Sequence, residues 1–249
     1  MTNINAEIAE SLFEEDEDEE LSRSIASLPT EDDLPCDDGV PMETPRHRDQ
    51  MILLIESLKA YWGEDKRYYV GGNMFLHYEL SGSKKFRGPD VFLVMDVENR
   101  ERKSWVVWQE GMRFPDVIIE LLSDSTRTTD KTVKKELYSR IFRTPEYYIY
   151  DPFSQEFEGF WLKKSTYESV QPDKEKRIYS SEAGLYLVIK DDWLRWMTPD
   201  GHVLPTHLEL YRHSEQKLES AEQKIYEERQ RAEDAEKLLE KYRRRYGEL

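Results

Sequence analysis

Two carboxylates in this sequence stand apart from its general acidity. Glu120 lies inside Val117-Ile118-Ile119-Glu120-Leu121-Leu122, an apolar run that reads as a strand, where its side chain shares a face with Ile118 and Leu122. A charge among such neighbours is costly unless it is paired or holds a metal. Asp90 opens a second apolar run behind Gly88-Pro89, a place where proline is tolerated and a carboxylate can project at the edge of a sheet. Brought together, the two would form an oxygen-rich site suited to Mg²⁺ or Mn²⁺, which take one or two protein carboxylates along with water and phosphate oxygens. Periodicity alone does not make them neighbours. Taken singly, Asp90 reads equally as a surface residue beside a turn, and Glu120 has a second reading as a salt-bridged edge-strand residue.

The elements that must position these groups follow from pattern. Thr44 is an N-cap candidate with Pro45 at the first helical position, and Ile52, Ile55, Leu58, Lys59 and Trp62 recur at helical spacing until Gly63. Strand-like runs follow at 67–78, around Gly71-Gly72-Asn73, and at 91–97, 105–108 and 117–122. A second helix is expected from Val133, Leu137, Tyr138, Ile141 and Phe142, with Thr128, Thr129 and Asp130 as candidate caps, and Tyr147 to Tyr150 is then a strand. A helix between two strands implies a parallel crossover in a mixed sheet, and near-continuous apolar strands imply a sheet covered on both faces, so the class is α/β or α+β. Short strands at 157–162, 166–170, 177–179 and 185–189 are expected to extend or cover the sheet, and the domain ends near Pro205.

Composition removes whole classes of function. The 249 residues contain one Cys, Cys36, which excludes a disulfide framework and multi-Cys zinc sites and points to a reducing, cytoplasmic setting. The longest apolar runs fall far short of the roughly 18 residues that a membrane helix needs, and the first twenty residues lack the pattern of a targeting signal. The net charge of −16 is unevenly placed: residues 1–50 hold 16 acidic against 3 basic residues. Residues 1–40 therefore read as an acidic disordered tail, residues 41–205 as the domain, and its near-neutral balance leaves a nucleic-acid partner open. Phosphate-loop, dinucleotide, serine-hydrolase and zincin signatures are absent; Ser81-Gly82-Ser83-Lys84 matches S-x-x-K only formally, in a turn.

Pro89-Asp90 followed thirty residues later by Ile119-Glu120-Leu121 resembles the PD-(D/E)xK nuclease superfamily. Residues 38–152 resemble its Uma-type branch of restriction endonucleases through Asp38-Gly39, His47, Pro89-Asp90-Val91, Ile118 to Ser123, Ser125-Thr126-Arg127, Asp130, Lys134, Tyr138 and Pro145-Glu146-Tyr147-Tyr148 into Asp151-Pro152. The resemblance implies a restriction-endonuclease-like αβββαβ core with a mixed sheet flanked by helices. It implies Mg²⁺, with Mn²⁺ as a substitute, held by Asp90, Glu120 and the backbone carbonyl of Leu121, in a DNA endonuclease. The superfamily lysine two residues after the glutamate is replaced here by Leu122. The branch draws that cation from the following helix, which points to Lys134, with Lys131 and Lys135 as neighbours that could substitute. His47 and Tyr138 are supporting candidates, with capping and core packing as their plain alternatives. Basic residues at 84–87, 100–103 and 127–143 could track a phosphate backbone, interleaved though they are with acidic ones.

From Leu208 onward proline is absent, and Tyr211, Leu218, Ile225, Ala232, Leu239 and Tyr246 recur every seventh residue. Residues 206–249 read as a long helix, equally consistent with a coiled coil making a homo-oligomer through 208–249 and with a solvated single helix. A non-cleaving protein that keeps the nuclease fold and assembles through this helix is the alternative to the enzyme.

Overall fold

The computed structural model describes residues 23–24, 26–36, 44–79, 86–123 and 125–247. Residues 1–22 of the acidic stretch, Asp38-Gly39, Ser81 to Lys85 and Asp124 lie outside the described residues. The chain divides into two compact units, Met1–Leu204 and Pro205–Leu249.

The first unit opens with α1 (Pro45–Trp62), started by the Thr44 side chain, which accepts the His47 amide at 3.1 Å, and stopped at Gly63 with φ 61°. Strands β1 (Tyr68–Gly71), β2 (Leu76–His77), β3 (Phe86–Arg87), β4 (Val91–Met95), β5 (Trp105–Val106) and β6 (Val117–Leu121) follow. A helical segment over 127–142, α2, leads to β7 (Glu146–Tyr150), β8 (Phe157–Lys163) and β9 (Thr166–Val170). Strands β10 (Ile178–Ser180), β11 (Leu185–Lys190) and β12 (Trp193–Met197) complete the unit.

The main sheet has the order β1-β4-β6-β7-β8-β9, with β6 and β7 parallel and the other pairs antiparallel. The series α1, β1, β4, β6, α2, β7 is the αβββαβ order that the sequence led us to expect, inside an α+β architecture. Both faces of the sheet are covered. On one, Val91, Leu93, Ile119 and Tyr148 pack with Leu54 and Leu58 of α1 and with Leu187 and Trp196 of the β10–β12 sheet. On the other, Phe92, Ile118 and Tyr147 pack with Tyr138 and Phe142 of α2 and with Leu76 and Trp105 of the small β3-β2-β5 sheet. The alternation of side chains along a strand sends Glu120 to this second face, toward α2.

Three expectations are corrected. Val133 and Ile141 were placed by helical periodicity on the inner face of α2, yet both are more than half exposed. The reason is local: Asp130–Lys134 and Tyr138–Phe142 are π-helical, with short α-helical pieces before and between them. The wider turn aligns residues four apart, so Asp130, Lys134, Tyr138 and Phe142 face the sheet. The α2 segment also begins at Arg127, so Thr128, Thr129 and Asp130 lie inside it rather than at its cap.

Residues 26–36, expected within a disordered tail, are instead bonded to the domain. The Trp108 indole donates to the Pro29 carbonyl at 2.7 Å, the Lys103 amide to Glu31 at 2.9 Å, the Lys103 ammonium to Asp32 at 2.5 Å and the His77 ring to the Pro35 carbonyl at 2.9 Å. This acidic strap thus lies along the β5 region.

β12 supports α1. The buried Gln50 amide donates to the Leu194 carbonyl at 2.9 Å and accepts the Leu194 amide at 3.0 Å, while the Trp196 indole donates to the Leu54 carbonyl at 3.2 Å. Gln50→Leu should therefore lower the unfolding free energy by about 2–3 kcal/mol, because Leu194 is left with two buried, unsatisfied backbone groups. Urea denaturation measures it, and an unshifted midpoint would show that water satisfies them.

The second unit is α3 (His207–Tyr246), opened by a capping box in which Thr206 and Glu209 exchange hydrogen bonds; none of its residues is buried.

Candidate active site

The antiparallel register of β4 on β6 pairs Val91 with Ile119, which places Asp90, one residue before β4, beside Glu120. The Asp90 amide points at Glu120 Oε2 at 3.3 Å, and Asp90 Oδ2 accepts the Leu121 amide at 2.7 Å. Asp90 Oδ1 meets His47 Nε2 at 3.0 Å from the first turn of α1. Gly72 comes so close that a Cβ there would lie 2.3 Å from the Asp90 carbonyl oxygen, so only glycine lets the chain pass.

Glu120 is fully buried. Its Oε1 accepts the Tyr138 hydroxyl at 2.7 Å and its Oε2 lies 3.1 Å from Lys134 Nζ. Lys134 also reaches Asp130 Oδ1 at 2.8 Å, one helical step back. Asp130 is buried, and among the described residues its carboxylate has this ion pair but no well-aligned hydrogen bond. The structure thus brings together Asp90, Glu120, Lys134, His47 and Tyr138, with the Leu121 backbone at their side.

The lysine neighbours are engaged elsewhere. Lys131 Nζ lies 2.6 Å from both Glu156 and Glu158, and Lys135 sits 3.3 Å from the centre of the Phe160 ring. The sequence reads Asp130 as a cap and as part of the family resemblance; the structure adds it to the site through Lys134. Its i,i+4 spacing to Lys134 was the available signal.

Three carboxylates therefore surround one ammonium. Burial pushes Glu120 well above the usual carboxylate range, against the pull of Lys134, and the negative charges of Asp90 and Asp130 push the same way. Burial also raises Asp130, with Lys134 opposing. Asp90 is held below its ordinary value: burial works to raise it, but the His47 hydrogen bond and charge, together with Lys134, prevail. Burial works to lower Lys134, yet Glu120, Asp130 and Asp90 outweigh it and keep the ammonium charged. A buried, hard-oxygen cluster with excess negative charge fits a divalent cation that also keeps water ligands. Among the described residues no group of three or more His, Cys, Asp and Glu side chains is arranged to hold a metal ion by itself.

Many of the basic residues expected to meet a phosphate backbone are already paired. Arg127 meets Asp151 and Glu156, Arg102 is buried against Glu110, and Arg100 and Lys103 meet the strap through Glu31 and Asp32. Lys84 and Lys85 lie outside the described residues. No helix among the described residues is long and apolar enough to cross a membrane.

No curated protein matches the chain. A solved structure, that of a "putative nuclease belonging to DUF820" from Anabaena variabilis ATCC 29413, is 16% identical, covering 62% of this chain and 90% of its own with a TM-score of 0.43. The sequence profile of the Uma2 family, described as "Putative restriction endonuclease", matches residues 27–190, a span that includes Asp90, Glu120 and Lys134, and the chain belongs to that family.

Proposed function

We propose that this protein is a metal-dependent DNA endonuclease that hydrolyses phosphodiester bonds with an activated water. The observation that carries the reading is the meeting of Asp90, Glu120 and Lys134 in one buried cluster that, with Asp130, holds three carboxyl groups beside one ammonium. Asp90, Glu120 and the Leu121 carbonyl would hold Mg²⁺, with Mn²⁺ as a substitute. Such an ion lowers the pKa of water and neutralises charge on the scissile phosphate.

The chain's own residues have separable tasks. His47 and the Leu121 amide fix the Asp90 carboxylate from two sides, and Tyr138 fixes Glu120 from within. Asp130 steers Lys134, whose ammonium stays charged and offers a hydrogen-bond donor and a positive charge for the oxygens of the transition state.

The direct experiment incubates the protein with plasmid, linear duplex and single-stranded DNA in Mg²⁺, Mn²⁺ or EDTA. Cutting that EDTA stops is expected, and Lys131→Ala and Lys135→Ala should keep it within a few-fold, since neither side chain faces the cluster. Absence of cutting on every substrate by folded protein would favour the alternative, a non-cleaving protein of the same fold. The observation favouring that alternative is α3, which leaves its heptad seam free for assembly.

The strap offers a second test of the DNA reading. Glu31→Gln with Asp32→Asn frees Lys103, leaves Arg100 paired with Glu110 alone, removes two negative charges from this surface, and should tighten DNA binding several-fold at low salt, the gain fading as salt is raised. Equal affinity of variant and wild type at low salt would remove this surface from the DNA path.

A further inference from the structure

We infer that α3 pairs with α3 of a second copy as a parallel, in-register, two-stranded coiled coil. The seam is formed by Tyr211, Leu218, Ile225, Leu239 and Tyr246, together with Tyr242; each is more than half exposed, although Leu and Ile are ordinarily buried. A 40-residue helix with an apolar seven-residue repeat and no buried residue has an unpartnered stripe.

Charge placement names the occupant and its direction. With Tyr211 and every seventh residue after it at the first heptad position, the residues just before them at the flank are Leu210, Lys217, Lys224, Arg231, Leu238 and Arg245. The opposite flank carries Glu215, Glu222, Arg229, Glu236 and Arg243, of which Glu215 and Arg243 would face Leu210 and Leu238 rather than a charge. In a parallel pair each basic flank residue faces the position five residues later on its partner. Lys217 then meets Glu222 and Arg231 meets Glu236, with Lys224 and Arg229 as the one mismatch. An antiparallel pair would instead set the basic flanks against each other, Lys and Arg on Lys and Arg. Ala221, Ala232 and Ala235 let two backbones approach closely, while Glu228 in the seam weakens the middle.

Direction has a functional consequence that rests on the nuclease reading above. Because each helix follows its domain in the chain, parallel pairing gathers two catalytic domains at one end of the coil. Antiparallel pairing would part them by its length, roughly 60 Å. A parallel dimer thus carries two cutting sites in one assembly, one for each strand of a duplex.

The test uses the full chain and does not read cutting, so it fails independently of the nuclease. Sedimentation at tens of micromolar should give twice the 29.8 kDa chain mass. Leu218→Asp should return the monomer, and Glu228→Leu should tighten association about tenfold or more, since it removes a charge from the seam. In a Cys36→Ser background, Ser214→Cys should oxidise readily to a disulfide-linked dimer, whereas Gln216→Cys, on the outer face, should not. Antiparallel helices would hold the two Ser214 positions roughly 37 Å apart and prevent that link. A monomeric mass, a trimer, a dimer indifferent to Leu218→Asp, or failure of Ser214→Cys to cross-link would each overturn the proposal; a monomer would return α3 to a solvated single helix.

Discussion

Glu120→Gln is expected to lower metal-dependent cutting by about a thousandfold or more while leaving the metal-free protein at least as stable as the wild type. The loss follows from removing a negative ligand and its charge from the place where the cation would sit. The stability follows from burial: Glu120 is 0% exposed and shares its surroundings with Asp90 and Asp130, so neutralising it relieves repulsion while the Tyr138 hydroxyl keeps an acceptor. Its folded-state pKa is raised, so the carboxyl binds its proton more tightly folded than unfolded. Its contribution is then fully present below its ordinary value of 4.5 and is lost as pH rises toward the folded value. The gap in stability between variant and wild type should accordingly widen in the variant's favour above about pH 4.5, where urea midpoints without metal would record it. Undiminished cutting by Glu120→Gln would remove this residue from the chemistry.

Lys134→Met carries the second large effect, and here both readouts fall. Cutting should drop by about a hundredfold to a thousandfold, through loss of the ammonium beside the reacting phosphate. Metal-free stability should also drop, by about 3–5 kcal/mol, because Glu120 and Asp130 lose the cation that both of them contact. Two additions separate the causes. Mg²⁺ should restore part of the stability by replacing the missing charge, and Asp130→Asn added to Lys134→Met should restore stability without restoring cutting. A folded Lys134→Met protein that cuts at the wild-type rate would show that the cation comes from elsewhere.

How much of this was legible beforehand depended on whether a residue's environment is set locally. The Thr44 cap, the Pro45 start and the Gly63 stop fixed α1, because each acts within its own turn. The parallel β6–β7 crossover and the doubly covered sheet followed from apolar runs on either side of a helix. By contrast, β12 was passed over. The hairpin joining it to β11 turns on Asp191 and Asp192, both with positive φ, where glycine or asparagine is the usual signal. The inner face of α2 was misread at Val133 and Ile141, since a 3.6-residue period presumes regular turns and the π-helical ones break it. Asp90 and Glu120 could be singled out by their apolar neighbours, but their meeting depended on strand register, and the choice of Lys134 over Lys131 and Lys135 on which side of a widened helix faces the sheet.

The grip of β12 on α1 lies beyond the residues that the family profile matches. The family pattern ends at residue 190, just before Leu194 and Trp196, the residues that bind Gln50 and the backbone of α1. A chain stopped there would retain every residue of the candidate site, yet its first helix, which presents His47 to Asp90, would lose its outer brace and bare Leu54 and Leu58 to solvent. The brace closes at Leu204, the last residue of the first compact unit, whose amide donates to the Trp196 carbonyl at 2.8 Å.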